Sequence, residues 1–210
     1  MKGFNLWNLA TSKSVISEEK RGVGVVYVTP KNSKYFIGYV DGVLESRDPT
    51  NLSLVQSIHL KSRILSIISD NTTVYVGMRN GRIISLPVNN LDESKMKVIK
   101  KMDKKTPISL LKLSKDNTFL LGYVNVDNNE TFHVFNIVKN EKAWFGKLDL
   151  AAAENREDPE KLIVISDNCL NVFARGENNK GVCMYSMFDG SIVTNMNAMH
   201  TNYILQILVT

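Results

Sequence analysis

Cysteine is scarce in this chain, with only Cys169 and Cys183 among 210 residues. Two thiols are no disulfide framework, which excludes the small secreted scaffolds and points to a reduced, cytoplasmic or nuclear compartment. If the turn at 176–180 joins two antiparallel strands, Cys183 falls opposite Phe173 and out of register with Cys169, so no disulfide is expected. Long apolar runs are missing too. No stretch approaches the ~20 residues of a membrane helix, and the N-terminal MKGFNLWNLATSKSV has no signal-type apolar core, so a soluble chain without membrane contact is expected. Histidine is limited to His59, His133 and His200, which lie 74 and 67 residues apart. Metal sites need ligands clustered at short spacing, so neither a metal nor a cofactor is expected. There is no G-x-S-x-G elbow, H-E-x-x-H helix or phosphate loop, and neither cysteine has a nearby histidine. Gly22-Val23-Gly24 precedes a strand pattern, not a helix, which removes the dinucleotide reading.

What is present supports a globular core. Hydrophobic residues make up 43% of the chain, enough to bury a real interior, and the net charge of +5 can be located. Lys95, Lys97, Lys100, Lys101, Lys104 and Lys105 against Asp103 carry that whole excess, so the remaining surface is balanced. Met96, Val98 and Met102 alternate with Lys95, Lys97 and Lys101, which predicts an outer strand with one wet face. Such a lysine strand either guards a sheet edge against strand addition or contacts an acidic partner or an RNA backbone.

Residues 63–87, RILSIISDNTTVYVGMRNGRIISLP, contain three short runs rich in Val, Ile, Leu and Tyr, separated by 70–72 and 78–81. Asp, Asn and Gly at those joints accept tight-turn conformations, so three antiparallel strands follow. The same unit recurs. A Ser-Asp-Asn type of turn appears at 69–71, 114–117 and 166–168, with 30–33 in the corresponding earlier place. A small residue ends the next strand at Gly38, Gly77, Gly122 and Ala174, and a polar turn follows at Asp41-Gly42, Asn80-Gly81, Asn129-Glu130 and Asn179-Lys180. The third strand then closes at Arg47-Asp48, Leu86-Pro87, Phe135-Asn136 and Tyr185-Ser186, preceded by Trp7-Asn8, with spacings of 40, 39, 49 and 50. Those periods are close to the blade repeats of β-propellers.

Trp7-Asn8, Phe135-Asn136, Tyr185-Ser186 and His200, with His59 and the turn residues Asp41 and Asn80, resemble the tryptophan-aspartate (WD) repeat of β-propellers. The resemblance implies an all-β, WD-like propeller or partial propeller with four complete four-stranded blades and an incomplete fifth. On this register 1–20 holds strands c and d of a split blade, 22–58, 63–102, 107–148 and 160–197 are complete blades, and 203–210 is strand a of the split blade. The resemblance gives His59 and His200 the place of a histidine hydrogen-bonded inside the blade, whereas His133 is expected exposed in mid-strand. The tetrad of the family is incomplete in every blade, so burial of branched apolar side chains must hold the sheets together. A longer connection is expected at 125–130, where it would contact partners. A helical turn capped by Asp149 and ended by Asp158-Pro159 is expected before the last blade. Propellers close with about 4 to 8 blades. A missing strand in one of them therefore predicts a fragment, or a ring completed by a second chain or a missing segment that covers the edge beside 204–210.

The resemblance implies a non-catalytic protein-interaction scaffold with other proteins as partners. Tyr39, Lys61, Arg63 and Arg79 are expected in loops on one rim, where aromatic and Arg side chains anchor interfaces. One alternative is a scaffold in a ribonucleoprotein or ribosome-assembly complex, using the lysines of 95–105. A second is a propeller enzyme whose site assembles from distant loops.

Overall fold

The computed structural model describes residues 4–8, 13–18, 22–29, 34–102, 106–126, 129–148, 159–175, 181–196 and 206–209. Two strands, β1 (Phe4–Asn8) and β2 (Lys13–Glu18), form a hairpin. Four antiparallel sheets follow, each built from four strands taken in chain order. The first holds β3 (Val23–Val28), β4 (Tyr35–Tyr39), β5 (Val43–Arg47) and β6 (Leu54–His59). The second holds β7 (Ile64–Ser69), β8 (Thr73–Met78), β9 (Arg82–Pro87) and β10 (Lys97–Lys101). The third holds β11 (Ile108–Leu113), β12 (Phe119–Val126), β13 (Asn129–Asn136) and β14 (Glu141–Leu148). The one-turn helix α1 (Pro159–Leu162) leads into β15 (Ile163–Ile165), β16 (Asn171–Arg175), β17 (Val182–Ser186) and β18 (Ile192–Met196).

The chain divides into two compact units, 1–108 and 109–210. In the first, Phe36 and Leu44 of one sheet meet Ile64, Ile67, Val74, Val76, Met78, Ile84 and Leu86 of the next. In the second, Phe119, Leu121, Phe132 and Val134 meet Ile163, Val172 and Ala174 in the same way. Middle strands are covered on both faces in the first three sheets, as β5, β8 and β12 are along most of their length, whereas β17 is mostly half-buried. β8 and β12 accordingly read as near-continuous apolar runs and not as alternating ones, while β5 carries the buried Glu45 and Ser46. The outermost strands β6, β10 and β18 are exposed or half-buried throughout.

The recurring sequence landmarks correspond to recurring geometry. Arg47, Phe135 and Tyr185 each follow directly on a break in register between the third and fourth strands of their sheets, and Trp7 on one between the two strands of the hairpin, while in the second sheet the break lies opposite Ile84 and Ile83 and not at Leu86. Outside the second sheet a β-bulge thus marks the repeat position. Two of the Ser-Asp-Asn turns are hydrogen-bonded alike, Ser114 Oγ accepting from the Phe119 N–H at 2.9 Å and Ser166 Oγ from the Asn171 N–H at 3.0 Å, whereas in the 69–71 turn Asp70 Oδ1 accepts instead, from the Thr72 N–H at 2.6 Å and the Thr73 N–H at 2.7 Å. Thr29 plays the serines' part in the first sheet, accepting from the Lys34 N–H at 3.0 Å. The small residue of the second strand has a packing cause. A Cβ on Gly38 would stand 2.5 Å from Ile64 Cγ2, so the next sheet sits where a side chain would have been.

Several expectations are corrected. Cys183 lies opposite Ala174, and Phe173 opposite Met184, one residue from the expected register; both thiols are buried and unbridged. The segment 125–130 is not a loop over its described residues. Asn125 pairs with Glu130 and Val126 with Asn129, lengthening the hairpin, and Asn125 Nδ2 donates to Glu130 Oε1 at 2.9 Å. Asp149 and Asp158 lie outside the described residues, and Pro159 begins a helix where it was expected to end one. Its fixed φ and missing N–H suit a first helical position. Of 203–210, residues 206–209 lie in no ladder, and the Ile207 N–H donates instead to the Lys161 carbonyl at 2.9 Å. His200 lies outside the described residues.

Candidate interaction site

The corner between β8 and β9 sets the site. Gly81, at φ +77, closes a turn by donating its N–H to the Met78 carbonyl at 3.2 Å, and Asn80 Oδ1 accepts the Arg82 N–H at 3.2 Å. The corner between β4 and β5 is built likewise, with Gly42 at φ +92 and Asp41 Oδ1 accepting from the Val43 N–H at 3.1 Å. Asp and Asn serve because a short carbonyl or carboxylate arm reaches a backbone N–H two residues on.

At this end of the β7–β10 sheet the antiparallel order gathers cations from distant parts of the sequence. The Arg79 N–H donates to the Arg63 carbonyl at 2.9 Å, which ties the two exposed arginines together through the backbone. Lys101 lies directly opposite Arg82 across β10 and β9. Beside them an open cleft of about 310 Å³ is lined by Ile58, His59, Lys61, Asn80, Glu93 and Met96, with Arg82 and Leu60 completing it. Lys61, at φ +59, reaches Glu93 at 3.9 Å, but both side chains are more than two-thirds exposed, so this pair contributes little. Glu93 stands in a one-turn 3-10 helix, 93–95, whose Asp92 cap accepts the Ser94 N–H at 2.7 Å.

The expected site residues divide accordingly. Lys61, Arg63 and Arg79 are exposed near this corner. Lys95 is exposed on the 3-10 turn and not in a strand. Lys97 and Lys101 are exposed and Lys100 half-buried on β10, while Lys104 and Lys105 lie outside the described residues. The predicted one-sided alternation fails because the register slips between Val98 and Lys100, leaving Val98 52% exposed. His59 is exposed at the end of β6, its Nε2 3.0 Å from the Asp41 carbonyl oxygen. His133 is half-buried, stacked near Phe135 with ring centroids 6.4 Å apart, where exposure was expected. Arg82 and Glu93 belong to no sequence motif, and Met96, expected as an apolar position of the outer strand, precedes β10 and lines the cleft. The recurrence of cations at 61, 63, 79 and 82 around one turn was the available signal.

Tyr39 is no interface anchor: it is fully buried, and its hydroxyl donates to Glu45 Oε2 at 2.9 Å. The same carboxylate oxygen accepts from Arg47 Nε at 3.1 Å and Nη2 at 2.7 Å. Tyr123 and Arg175 are likewise buried, and burial, then the half-buried Glu130, pushes the Tyr123 hydroxyl up. Burial, then the Glu45 hydrogen bond and charge, push the Tyr39 hydroxyl up from 10.0 to about 12. Burial and then the Asp70 charge push Tyr75 up from 10.0 to about 12. Folded phenols that hold their protons above the unfolded value stabilise fully below pH 10.0, and lose that stabilisation as pH rises through about 12. The urea midpoint is therefore expected to be flat up to pH 10 and to fall between pH 10 and 12, less steeply in a Tyr39→Phe, Tyr75→Phe variant. An equally steep fall in that variant would assign the alkaline loss elsewhere.

Among the described residues no group of three or more His, Cys, Asp or Glu is placed to hold a metal ion. No described helix is long and apolar enough to cross a membrane.

No protein-family profile matches the chain, and no curated protein matches it by sequence. Solved structures do match. A chain from the crystal structure of the mitotic checkpoint complex superposes with a TM-score of 0.70 at 11% identity, over 94% of this chain and 58% of its own length. A chain of hydrazine synthase from Kuenenia stuttgartiensis superposes with a TM-score of 0.65 at 13% identity, over 88% of this chain and 56% of its own. The chain thus spans little more than half the length of these solved chains. At such identities the likeness concerns the fold, which is nearly all β, with four four-stranded antiparallel sheets of a β-propeller or part of one.

Proposed function

We propose that this chain is a non-catalytic protein-interaction scaffold, built on WD-like propeller blades and working among other proteins in the cytoplasm or nucleus. One observation carries the reading: the blade geometry gathers exposed Arg63 and Arg79 at one sheet end beside an open cleft. Arginine there offers five donors with little to order around it, which suits an interface anchor. Likeness to a chain from a multi-protein complex supports the same class. The exposed Lys97 and Lys101 on the outermost strand β10 favour a second reading, contact with an RNA backbone in a ribonucleoprotein assembly.

One experiment separates the two. Affinity capture from native extract is expected to recover a defined set of proteins, and Arg63→Glu with Arg79→Glu is expected to reduce that recovery at least tenfold without lowering Tm. Retention of the full set by the double variant would count against the scaffold reading. Recovery abolished by ribonuclease, and by Lys97→Gln with Lys101→Gln, would support the RNA reading instead.

A further inference from the structure

The cleft at the β8–β9 corner combines two features that none of the motifs explains. Its floor is apolar: Ile58, Leu60 and Met96 are half-buried and pack against the core of the first unit. Its lining is otherwise cationic, with Lys61 and Arg82 against Glu93 as the one carboxylate among the lining residues. We infer that this cleft binds an acidic peptide segment carrying an apolar side chain next to its carboxylates, supplied by a partner protein; this rests on the scaffold reading above.

Charge complementarity names the occupant. Arg82 stands directly opposite Lys101 across the β9–β10 ladder, and like charges so placed repel. An incoming carboxylate relieves that repulsion. Exposed Arg63 and Arg79 extend the positive field along the same sheet end, so an acidic segment gains on approach as well as at contact. Glu93 is only a weak internal counter-ion, 3.9 Å from Lys61 with side chains 71% and 77% exposed, and is easily displaced. Ile58, Leu60 and Met96 give an apolar residue of the peptide a dry seat, and Met adapts its shape to the guest. A nucleic acid fits less well. No Phe, Tyr or Trp lines the cleft, so His59 is the one aromatic ring among its lining residues on which a base could stack. At about 310 Å³ the space takes a few side chains and not a folded element.

The probe is a fluorescein-labelled ten-residue peptide of alternating Asp, Glu and Leu, measured by anisotropy against the full chain at low salt. Two controls accompany it: the same peptide with Asn and Gln for Asp and Glu, and oligo(U) of equal charge. The acidic peptide is expected to bind at least tenfold more tightly than either control. Arg82→Glu with Lys61→Glu is expected to weaken it at least tenfold, and Glu93→Gln, an exposed and fold-neutral change, to tighten it about threefold. Equal binding of acidic and neutral peptides, tighter binding of oligo(U), or no change in the Glu93→Gln variant would overturn the proposal. The scaffold reading is tested at Arg63 and Arg79 and stands apart: a Lys61→Glu, Arg82→Glu chain that still captures its full protein set removes the cleft and leaves the scaffold.

Discussion

Replacing Glu45 by Ala is expected to destabilise the protein by about 3–5 kcal/mol, the range for breaking a buried ion pair from one side. Glu45 is 4% exposed and sits at the centre of its network, accepting from Tyr39 and twice from Arg47. Arg47 also donates to the Leu52 carbonyl at 3.3 Å, so its guanidinium is held in place and cannot swing out to water cheaply. Removal of the carboxylate therefore leaves a cation and a phenol hydroxyl facing a cavity. Burying a charge without its partner costs far more than the pair contributed while intact. The contrast is the test. A Tyr39→Phe, Glu45→Leu, Arg47→Met variant removes the three polar side chains together, costing only the Arg47 bond to the Leu52 carbonyl, and is expected to lie within about 2 kcal/mol of the parent. Urea denaturation of the two variants reads the difference directly, and a Glu45→Ala loss below about 1 kcal/mol would mean that the network is solvated and not buried.

Burial of this network is not legible from the residues of β5 alone. Gly38-Tyr39 and Gly77-Met78 occupy the same place in successive repeats, so Tyr39 corresponds to the buried Met78 and not to the exposed Arg79 one position further on. What decides burial is the facing strand. Glu45 and Arg47 stand two apart on β5, so both point to one face, and that face meets Tyr39. Charged residues in a short strand look like solvent contacts until their partner is placed. The turns and strand order were legible because Asx, Ser and Gly act on the backbone within a few residues of themselves. Asn80 accepts from a residue two positions on, and Ser166 from one five positions on. The cleft was not legible, since Ile58, Arg82 and Met96 come from three different strands or connections. Nor was the slip between Val98 and Lys100, because a bulge carries no residue signature when no glycine makes it.

Trp144→Ala is expected to cost the second unit about 3–5 kcal/mol, the range for truncating a large aromatic in a packed core. Three kinds of contact converge on this side chain. Its ring meets Phe132 edge-on at 5.3 Å and stacks on Tyr185 at 5.7 Å. Its indole N–H donates to the Met187 carbonyl at 2.8 Å. Gly190, at φ +73, lies so close that a Cβ there would stand 2.5 Å from Trp144 Cδ2. The outermost strand β14 is thereby bolted to the turn that joins β17 to β18 in the following sheet. The first unit repeats the device with a weaker bolt. Gln56 lies opposite Ser46 as Trp144 lies opposite Val134, each beside the bulge of its ladder, and Gln56 Oε1 accepts the Leu91 N–H at 3.2 Å. A single neutral hydrogen bond contributes about 1 kcal/mol, so Gln56→Ala is expected to cost that much and no more. Trp144→Phe keeps part of the ring packing but loses the indole donor, and should fall between the two. Gly190→Ala attacks the same contact from the other side, through both the left-handed backbone and the 2.5 Å approach. If Trp144→Ala and Gly190→Ala are made together, the loss should be clearly less than additive, since without the indole ring the added methyl has room. Strict additivity in that cycle would show that Trp144 stabilises the chain through β14 alone, and not by clamping the next sheet.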